Sequence, residues 1–258
     1  MPIAREGWPV IGTAAGVLGL VGAVGALAGH PAALVPLVLG VGFCFYFFRD
    51  PERRAPPDER LVVSPADGRV VAVVEEREER VLQAPATRVS IFMSPLDVHV
   101  NRSPVSATVA LVRHTAGKFR AAFADKASLD NERTALVLES GGRRYLLEQI
   151  AGALARRIVC RVRPGDRVQR GERFGMIMFG SRVDFFLPAD VKPVVKPGDR
   201  VKAGATVVAE ARLATVDGRK LGFDVVLREG TTIAAQGRVE RVVVDRDRFL
   251  AKAAGRLT

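Results

Sequence analysis

Two long apolar stretches open this chain, and short alternating runs follow them. Residues 10–28 (VIGTAAGVLGLVGAVGALA) and 32–48 (AALVPLVLGVGFCFYFF) carry no charge, and only Gly29, His30 and Pro31 lie between them. Each approaches the roughly 20 residues needed to cross the hydrocarbon of a bilayer. The pattern predicts an α-helical membrane hairpin over residues 1–49. Arg5 precedes it and Arg49, Arg53 and Arg54 follow it, which places both ends on the cytoplasmic side of a cell membrane. Trp8 and Tyr46 stand where interfacial anchors belong, and glycines at 12, 16, 19, 22 and 25 allow close helix approach. A signal peptide is the competing reading, but the segment is long and a second apolar run follows it.

Residues 50–60 are charged and rich in proline, a composition that ends a helix and reads as a linker. Beyond it, β-branched runs recur between Gly, Pro and Asp: 61–63, 69–74, 87–93, 105–112, 134–139, 143–150, 174–179 and 183–187. This spacing predicts a mainly β body with little helix over 61–211. Residues 118–133 are the main exception and suit a loop with a short helical turn. A ten-residue pattern, RPGDRVQRGE at 163–172, returns as KPGDRVKAGA at 196–205. Paired Pro-Gly-Asp turns of this kind suggest a β-sandwich-like body with lipoyl- or biotinyl-like hairpins. A carrier domain would need a modifiable lysine in the link between the halves, and that link holds Phe179-Gly-Ser-Arg-Val-Asp184 instead.

Charge and composition sharpen the picture. The formal net charge of +11 over 258 residues suits an anionic partner, either nucleic acid or a negatively charged membrane; the hairpin favours the membrane. Cys44 and Cys160 form no metal-ligand spacing and no disulfide framework. The Gly180–Ser181 bond interrupts two strand-like runs, and glycine inside a strand marks a bulge or a close backbone approach. Chemically, the Ser181 hydroxyl can attack the unhindered Gly180 carbonyl, shifting the acyl group from nitrogen to oxygen. Elimination across Cα–Cβ then breaks the chain. The dehydroalanine left behind hydrolyses, losing ammonia, to an N-terminal pyruvoyl group, an electron sink for amine substrates. With only three histidines in the chain, His99 and His114 are the candidate bases, and Asp67, in the turn Pro65-Ala-Asp-Gly68, is the candidate carboxylate.

Five motifs stand in a telling order: Pro65-Ala-Asp-Gly68, Ser94-Pro-Leu-Asp-Val-His99, His114-Thr-Ala-Gly-Lys-Phe119, Asp125-Lys-Ala-Ser-Leu-Asp-Asn-Glu-Arg133 and Phe179-Gly-Ser181. The chain thereby resembles phosphatidylserine decarboxylases of the short, membrane-anchored prokaryotic type, over about residues 5 to 211. The resemblance implies self-cleavage between Gly180 and Ser181 and a covalent pyruvoyl cofactor derived from Ser181. It further implies a heterodimer of the two products, or a higher oligomer of it, acting on phosphatidylserine in an anionic membrane, with no nucleic acid. Asp67 and His99 match positions the family uses with the serine in cleavage. Arg102 stands where longer bacterial enzymes have a second histidine, which leaves the base open: His99 first, His114 second. Phe179 and Arg182 also depart from those enzymes' Leu-Gly-Ser-Thr. Lys118, Arg102 and Arg120 are candidate contacts for the substrate's phosphate or carboxylate.

Residues 212–258 fall outside that likeness. They read as two strands, 221–227 and 238–244, joined by a loop and followed by a basic helix over 245–256, and weakly resemble the end of a hot-dog-fold thioesterase. A second reading of the whole chain is a membrane-tethered lipoyl-like β-sandwich adaptor without catalysis. That reading accounts for the hairpin and the repeat, but not for Asp67, His99 and Gly180-Ser181 in order.

Overall fold

The computed structural model describes residues 2–58, 60–117, 131–152, 157–178, 181–210, 215–217, 220–229 and 232–242, with backbone alone beyond residue 210. Two helices open the chain, α1 (Gly7–Leu27) and α2 (Val35–Phe47), joined through Gly29 and a 3-10 turn, Pro31–Leu34. Gly29 takes φ +84°, a left-handed conformation that glycine adopts at little cost. Pro9 and Pro36 fall in or near the first turns of α1 and α2, where a missing N–H costs nothing. The 21 residues of α1 span about 31 Å at 1.5 Å each, enough to cross a membrane; the 13 of α2 span only about 20 Å. Leu20, Leu27, Val38 and Leu39 are exposed, so the hairpin is apolar on its outer surface and not merely along a core-facing stripe. Its two ends are stitched together: Ala4 N donates to Phe48 O (2.8 Å) and Asp50 N to Pro2 O (2.8 Å).

The body is built on one eight-stranded curled sheet. Its strands are β2 (Gly68–Glu78), β3 (Ala84–Met93), β5 (Ala107–Thr115), β6 (Arg133–Ser140), β7 (Arg143–Ala151), β9 (Arg167–Val168), β11 (Ser181–Pro188) and β13 (Arg200–Val201). They lie in the order β13-β2-β3-β11-β7-β6-β5-β9, and every neighbouring pair is antiparallel. Two smaller sheets accompany it: β1 (Leu61–Val63), β14 (Val207–Glu210) and β12 (Lys192–Pro193) in one, and β4 (Val100–Arg102), β10 (Arg173–Met178) and β8 (Arg157–Cys160) in the other. Alternation decides the core: Val183, Phe185 and Leu187 of β11 share one face with Ile91, Val89 and Leu147, and all are fully buried. On the opposite face Phe186, Leu146, Val137 and Ala135 are covered by Val81 and Leu82.

The sequence repeat becomes a pair of matching edges. Gly165 (φ +93°) and Gly198 (φ +100°) turn the chain, and Asp166 and Asp199 each accept the backbone N–H three residues earlier, at Arg163 and Lys196. The strands that follow, β9 and β13, form the two outer edges of the eight-stranded sheet. Next come Gly171 and Gly204, so close that a Cβ on Gly204 would lie 3.2 Å from Gly171 Cα. The repeat thus draws the two edges of the curled sheet together.

The chain divides into two compact units at Ala209/Glu210. The second contains a three-stranded antiparallel sheet, β15 (Thr215–Asp217), β16 (Lys220–Glu229) and β17 (Thr232–Val242). The loop expected over 228–237 is mostly strand, since Glu229 already pairs with Thr232. The helix expected at 245–256 and most of the loop expected at 118–133 lie outside the described residues.

Candidate active site

Several strands bring their ends to one end of the large sheet. Ser181, the first residue of β11, pairs with Met93 at the end of β3 and with Ala151 at the end of β7. Arg69 at the start of β2 pairs with Phe92, which puts Asp67 and Gly68 at that same end. Gly68 has φ +148°, and a Cβ there would meet Phe92 O at 2.0 Å; only glycine fits this approach. The Asp-Gly order in the turn is therefore a packing requirement. β10 ends at Met178 in a different sheet from β11, so the chain changes sheet across residues 179–180. Gly180 itself lies outside the described residues, as do Lys118 and Arg120.

Because side chains alternate along a strand, Ser181 shares the inward face with Val183 and Phe185. It is fully buried, and its hydroxyl donates towards Met93 Sδ at 3.4 Å. Sulfur is a weak acceptor, so this contact holds the hydroxyl only lightly. Asn101 Nδ2 approaches the same sulfur (3.9 Å), and Gln149 Nε2 donates to Asn101 Oδ1 (2.9 Å). Both amides are fully buried, and Gln149 Oε1 has no partner among the described residues. Sequence reading missed Gln149 and Met93, because nothing in local spacing marks a residue whose role comes from cross-strand register. Asn101 was visible only as a neighbour of His99.

His99 leaves β3 on a tight turn in which Ser94 N donates to Asp97 Oδ2 and Asp97 N to Ser94 O, each at 2.9 Å. Its backbone carbonyl accepts from Ile177 N (3.3 Å) of β10, and its ring is fully buried. Nδ1 lies 3.0 Å from Asp97 O. A carbonyl only accepts, so this contact selects the Nδ1–H tautomer and leaves Nε2 as a bare acceptor, without a partner among the described residues. Burial pushes the imidazole pKa down to about 4, and Arg49 adds to the effect; the Asp97 carbonyl and carboxylate oppose it. The ring is therefore neutral at physiological pH.

The other candidates are placed differently. Asp67 forms a two-pronged pair with Arg53, Oδ1 to Nη1 and Oδ2 to Nη2 (2.7 Å for the second), and Oδ1 also accepts from Ala203 N (2.9 Å). Its contacts thus run to the linker and to the turn at 203. His114 sits on β5, half exposed, with Nδ1 3.2 Å from Thr134 Oγ1 and Nε2 3.8 Å from Glu132. β5 is three strands from β11, on the order of 14 Å along the sheet at about 4.8 Å per strand. Arg102 is buried and occupied, donating to Asp50 Oδ1 (3.0 Å), Pro51 O (2.9 Å) and Gly171 O (3.0 Å). It pins the linker and has little capacity left for a substrate. The arrangement offers a buried hydroxyl and an amide pair that meet at the Met93 sulfur, and, two residues before Asn101, a buried neutral imidazole.

Comparison with known proteins gives this geometry a lineage. A family model described as phosphatidylserine decarboxylase matches residues 41–209, ending where the second compact unit begins. The phosphatidylserine decarboxylase proenzyme of Symbiobacterium thermophilum is 50% identical over 208 residues, covering 80% of this chain and 94% of that protein. Those of Syntrophus aciditrophicus and Cereibacter sphaeroides are 49% and 45% identical, covering 78% and 86% of this chain and 94% of each relative. The chain belongs to the phosphatidylserine decarboxylase family, and with it to the decarboxylating enzymes rather than to the tethered adaptors.

Proposed function

We propose that this chain is a self-processing, pyruvoyl-dependent decarboxylase that converts phosphatidylserine to phosphatidylethanolamine and carbon dioxide. The observation that carries the reading is the seat of Ser181: fully buried, at the head of a strand, and paired on both sides. A chain break before this residue leaves its backbone held by both ladders. The ketone formed there would be sheltered from bulk water, beside the unpartnered Gln149 Oε1 side of the amide pair. These residues fit a pyruvoyl group, which when formed supplies the electron sink that no side chain of this protein offers.

In cleavage, Ser181 Oγ attacks the Gly180 carbonyl carbon. The hydroxyl proton passes to the departing amide nitrogen, and the ester carboxylate of Gly180 later leaves as the Ser181 Cα proton is removed. His99 suits the proton work better than His114, being neutral, dry and unpartnered at Nε2, whereas His114 is half exposed and hydrogen-bonded. In turnover the same nitrogen would hold and return the proton that replaces carbon dioxide. Asp67, held at this end of the sheet by Arg53 and the Ala203 N–H, is the candidate carboxylate for cleavage. The hairpin and its flanking arginines attach the body to the cytoplasmic face of an anionic cell membrane, where the lipid substrate resides.

Intact mass of the purified protein beside a Ser181→Ala variant tests the reading. The expected result is two chains split after Gly180, the smaller lighter than encoded by one ammonia, with the variant whole. A wild-type chain that stays unbroken in its native membrane would overturn it.

A further inference from the structure

The foot of the membrane hairpin is in contact with the catalytic loop. Tyr46 Oη donates to Leu96 O (3.2 Å), and Arg49 Nη2 donates to the same carbonyl (2.6 Å) while its guanidinium lies 3.9 Å over the Tyr46 ring. Phe47, the last residue of α2, is fully buried, with its ring centroid 4.2 Å from that of His99 and the planes 33° apart. Phe47 and Phe48 share an apolar cluster with Val98, Val100, Met176 and Met178. The hairpin therefore packs both on the loop carrying His99 and on the strand that leads to residues 179–180.

One hydrogen bond does not orient an imidazole. The Nδ1 contact to Asp97 O fixes a single direction and leaves the ring free to rock about it. A flat neighbour against the ring face supplies the missing constraint, because a tilted ring would lose its van der Waals contacts. We propose that Phe47 is a positioning residue for His99, so that the hairpin foot sets the plane of the imidazole and hence the direction of Nε2. The hairpin is then part of the active-site wall and not only an anchor. This inference rests on the reading of His99 as the proton carrier.

Among the described residues, the charged groups facing His99 are few. Asp97 on its own loop favours the charged ring, and Arg49 from the hairpin foot disfavours it; β4 and β10 present Val100, Met176 and Met178. Removing the Phe47 ring admits water to a face now dry and moves the His99 titration up from about 4 towards the ordinary histidine value.

The test uses the full-length protein in mixed micelles of detergent and phosphatidylserine. Phe47→Ala and Phe47→Leu are compared with wild type for fraction cleaved, kcat and KM across pH 5–8, and the His99 titration by imidazole NMR. Only three histidines are present, so His30→Gln and His114→Gln variants assign the spectrum. For Phe47→Ala we expect kcat to fall at least tenfold with KM within twofold, and the His99 midpoint to rise by a unit or more. Phe47→Leu keeps the apolar cover, so its midpoint stays low while kcat still falls several-fold; it carries the test should the alanine variant fail to accumulate. Wild-type kcat, pH profile and His99 midpoint in both variants would overturn the proposal. A His99→Gln protein with wild-type turnover would instead overturn the underlying reading of His99.

Discussion

The pair between Arg53 and Asp67 allows the proposed catalytic task of one carboxylate to be separated from its structural one. Both side chains are about nine-tenths buried, 11% and 10% exposed. Together they grip Ala203, whose N–H donates to Asp67 and whose carbonyl accepts from Arg53 Nη1 at 2.9 Å. Removing one partner of a buried ion pair costs about 3–5 kcal/mol, whereas replacing both by neutral groups is often close to neutral. Asp67→Asn keeps an oxygen for Ala203 N–H and should cost about 3 kcal/mol, near the lower end of that range. Arg53→Met strands a carboxylate and should cost about 4 kcal/mol. The double variant should lie within about 1 kcal/mol of the parent, a coupling of several kcal/mol that only a directly interacting pair can give. Urea unfolding in mild detergent, followed by circular dichroism, measures all four corners. A Ser181→Ala background keeps the chain in one piece for the cycle. Four coincident midpoints would refute the argument that this pair clamps the linker. The same substitutions on the Ser181 background, followed on a denaturing gel, then separate the roles. If cleavage fails in Asp67→Asn and stays lost in the stable double variant, Asp67 acts in the chemistry. If cleavage returns with stability, Asp67 acts by holding the linker.

Other expectations follow from single contacts. Gly68→Ala places a Cβ 2.0 Å from Phe92 O at φ +148°; we expect a loss of about 3 kcal/mol or more, read as a lowered urea midpoint in the uncleaved background. Glu148 is buried on β7, and desolvation, helped by Asp184 across the ladder, lifts its carboxyl to about 7 despite Arg80 and Arg133. Its folded form binds a proton more readily than its unfolded form. Stability is therefore greatest below the ordinary glutamate value and falls as pH rises towards 7, by at most about 3 kcal/mol. Glu148→Gln should flatten the difference between midpoints at pH 5 and pH 8. Arg170 donates to the carbonyls of Pro56, Asp58 and Leu61; Arg170→Ala should free the linker and speed tryptic cutting at Arg54 and Arg60 about tenfold, seen by limited proteolysis.

What the sequence disclosed follows from the range of the interactions involved. Strands such as 61–63, 87–93 and 143–150 announce themselves because their pattern is local, and the structure reproduces the first and extends the others by one to three residues. The repeat at 163–172 and 196–205 was visible, yet its meaning was not: only the strand order shows that it builds the two edges of one sheet. Residues 50–60 read as a linker by composition, whereas Asp50, Glu52 and Arg53 are all engaged with the body. Such pairs join residues far apart in the chain and leave no periodic trace. The segment after Arg228 looked like a loop because Ala, Gln and Gly have low strand propensity, but pairing with β16 enlists them. Phe47 was hidden for a different reason: inside an apolar run, a ring that touches a histidine is indistinguishable from one that touches lipid.

On the proposed cleavage, the position of the Gly180–Ser181 bond has a physical rationale. A break in an exposed loop leaves frayed ends, a poor place to keep a reactive ketone. The residue after the proposed break heads a strand in the middle of an eight-stranded sheet, paired with β3 from Ser181 to Pro188 and with β7 from Ser181 to Phe186. Pulling the smaller product away would expose Val183, Phe185 and Leu187, each fully buried, at about 1.5–3 kcal/mol per side chain, and would also undo β13 and β14. The residue before the break follows β10, which belongs to another sheet. Cutting the covalent link between the two sheets disturbs neither ladder. The new N-terminus would stay where the Met93 and Ala151 pairing holds it. On that reading Ser181, held by two ladders at the head of β11, can serve cleavage without loosening the site that cleavage would create.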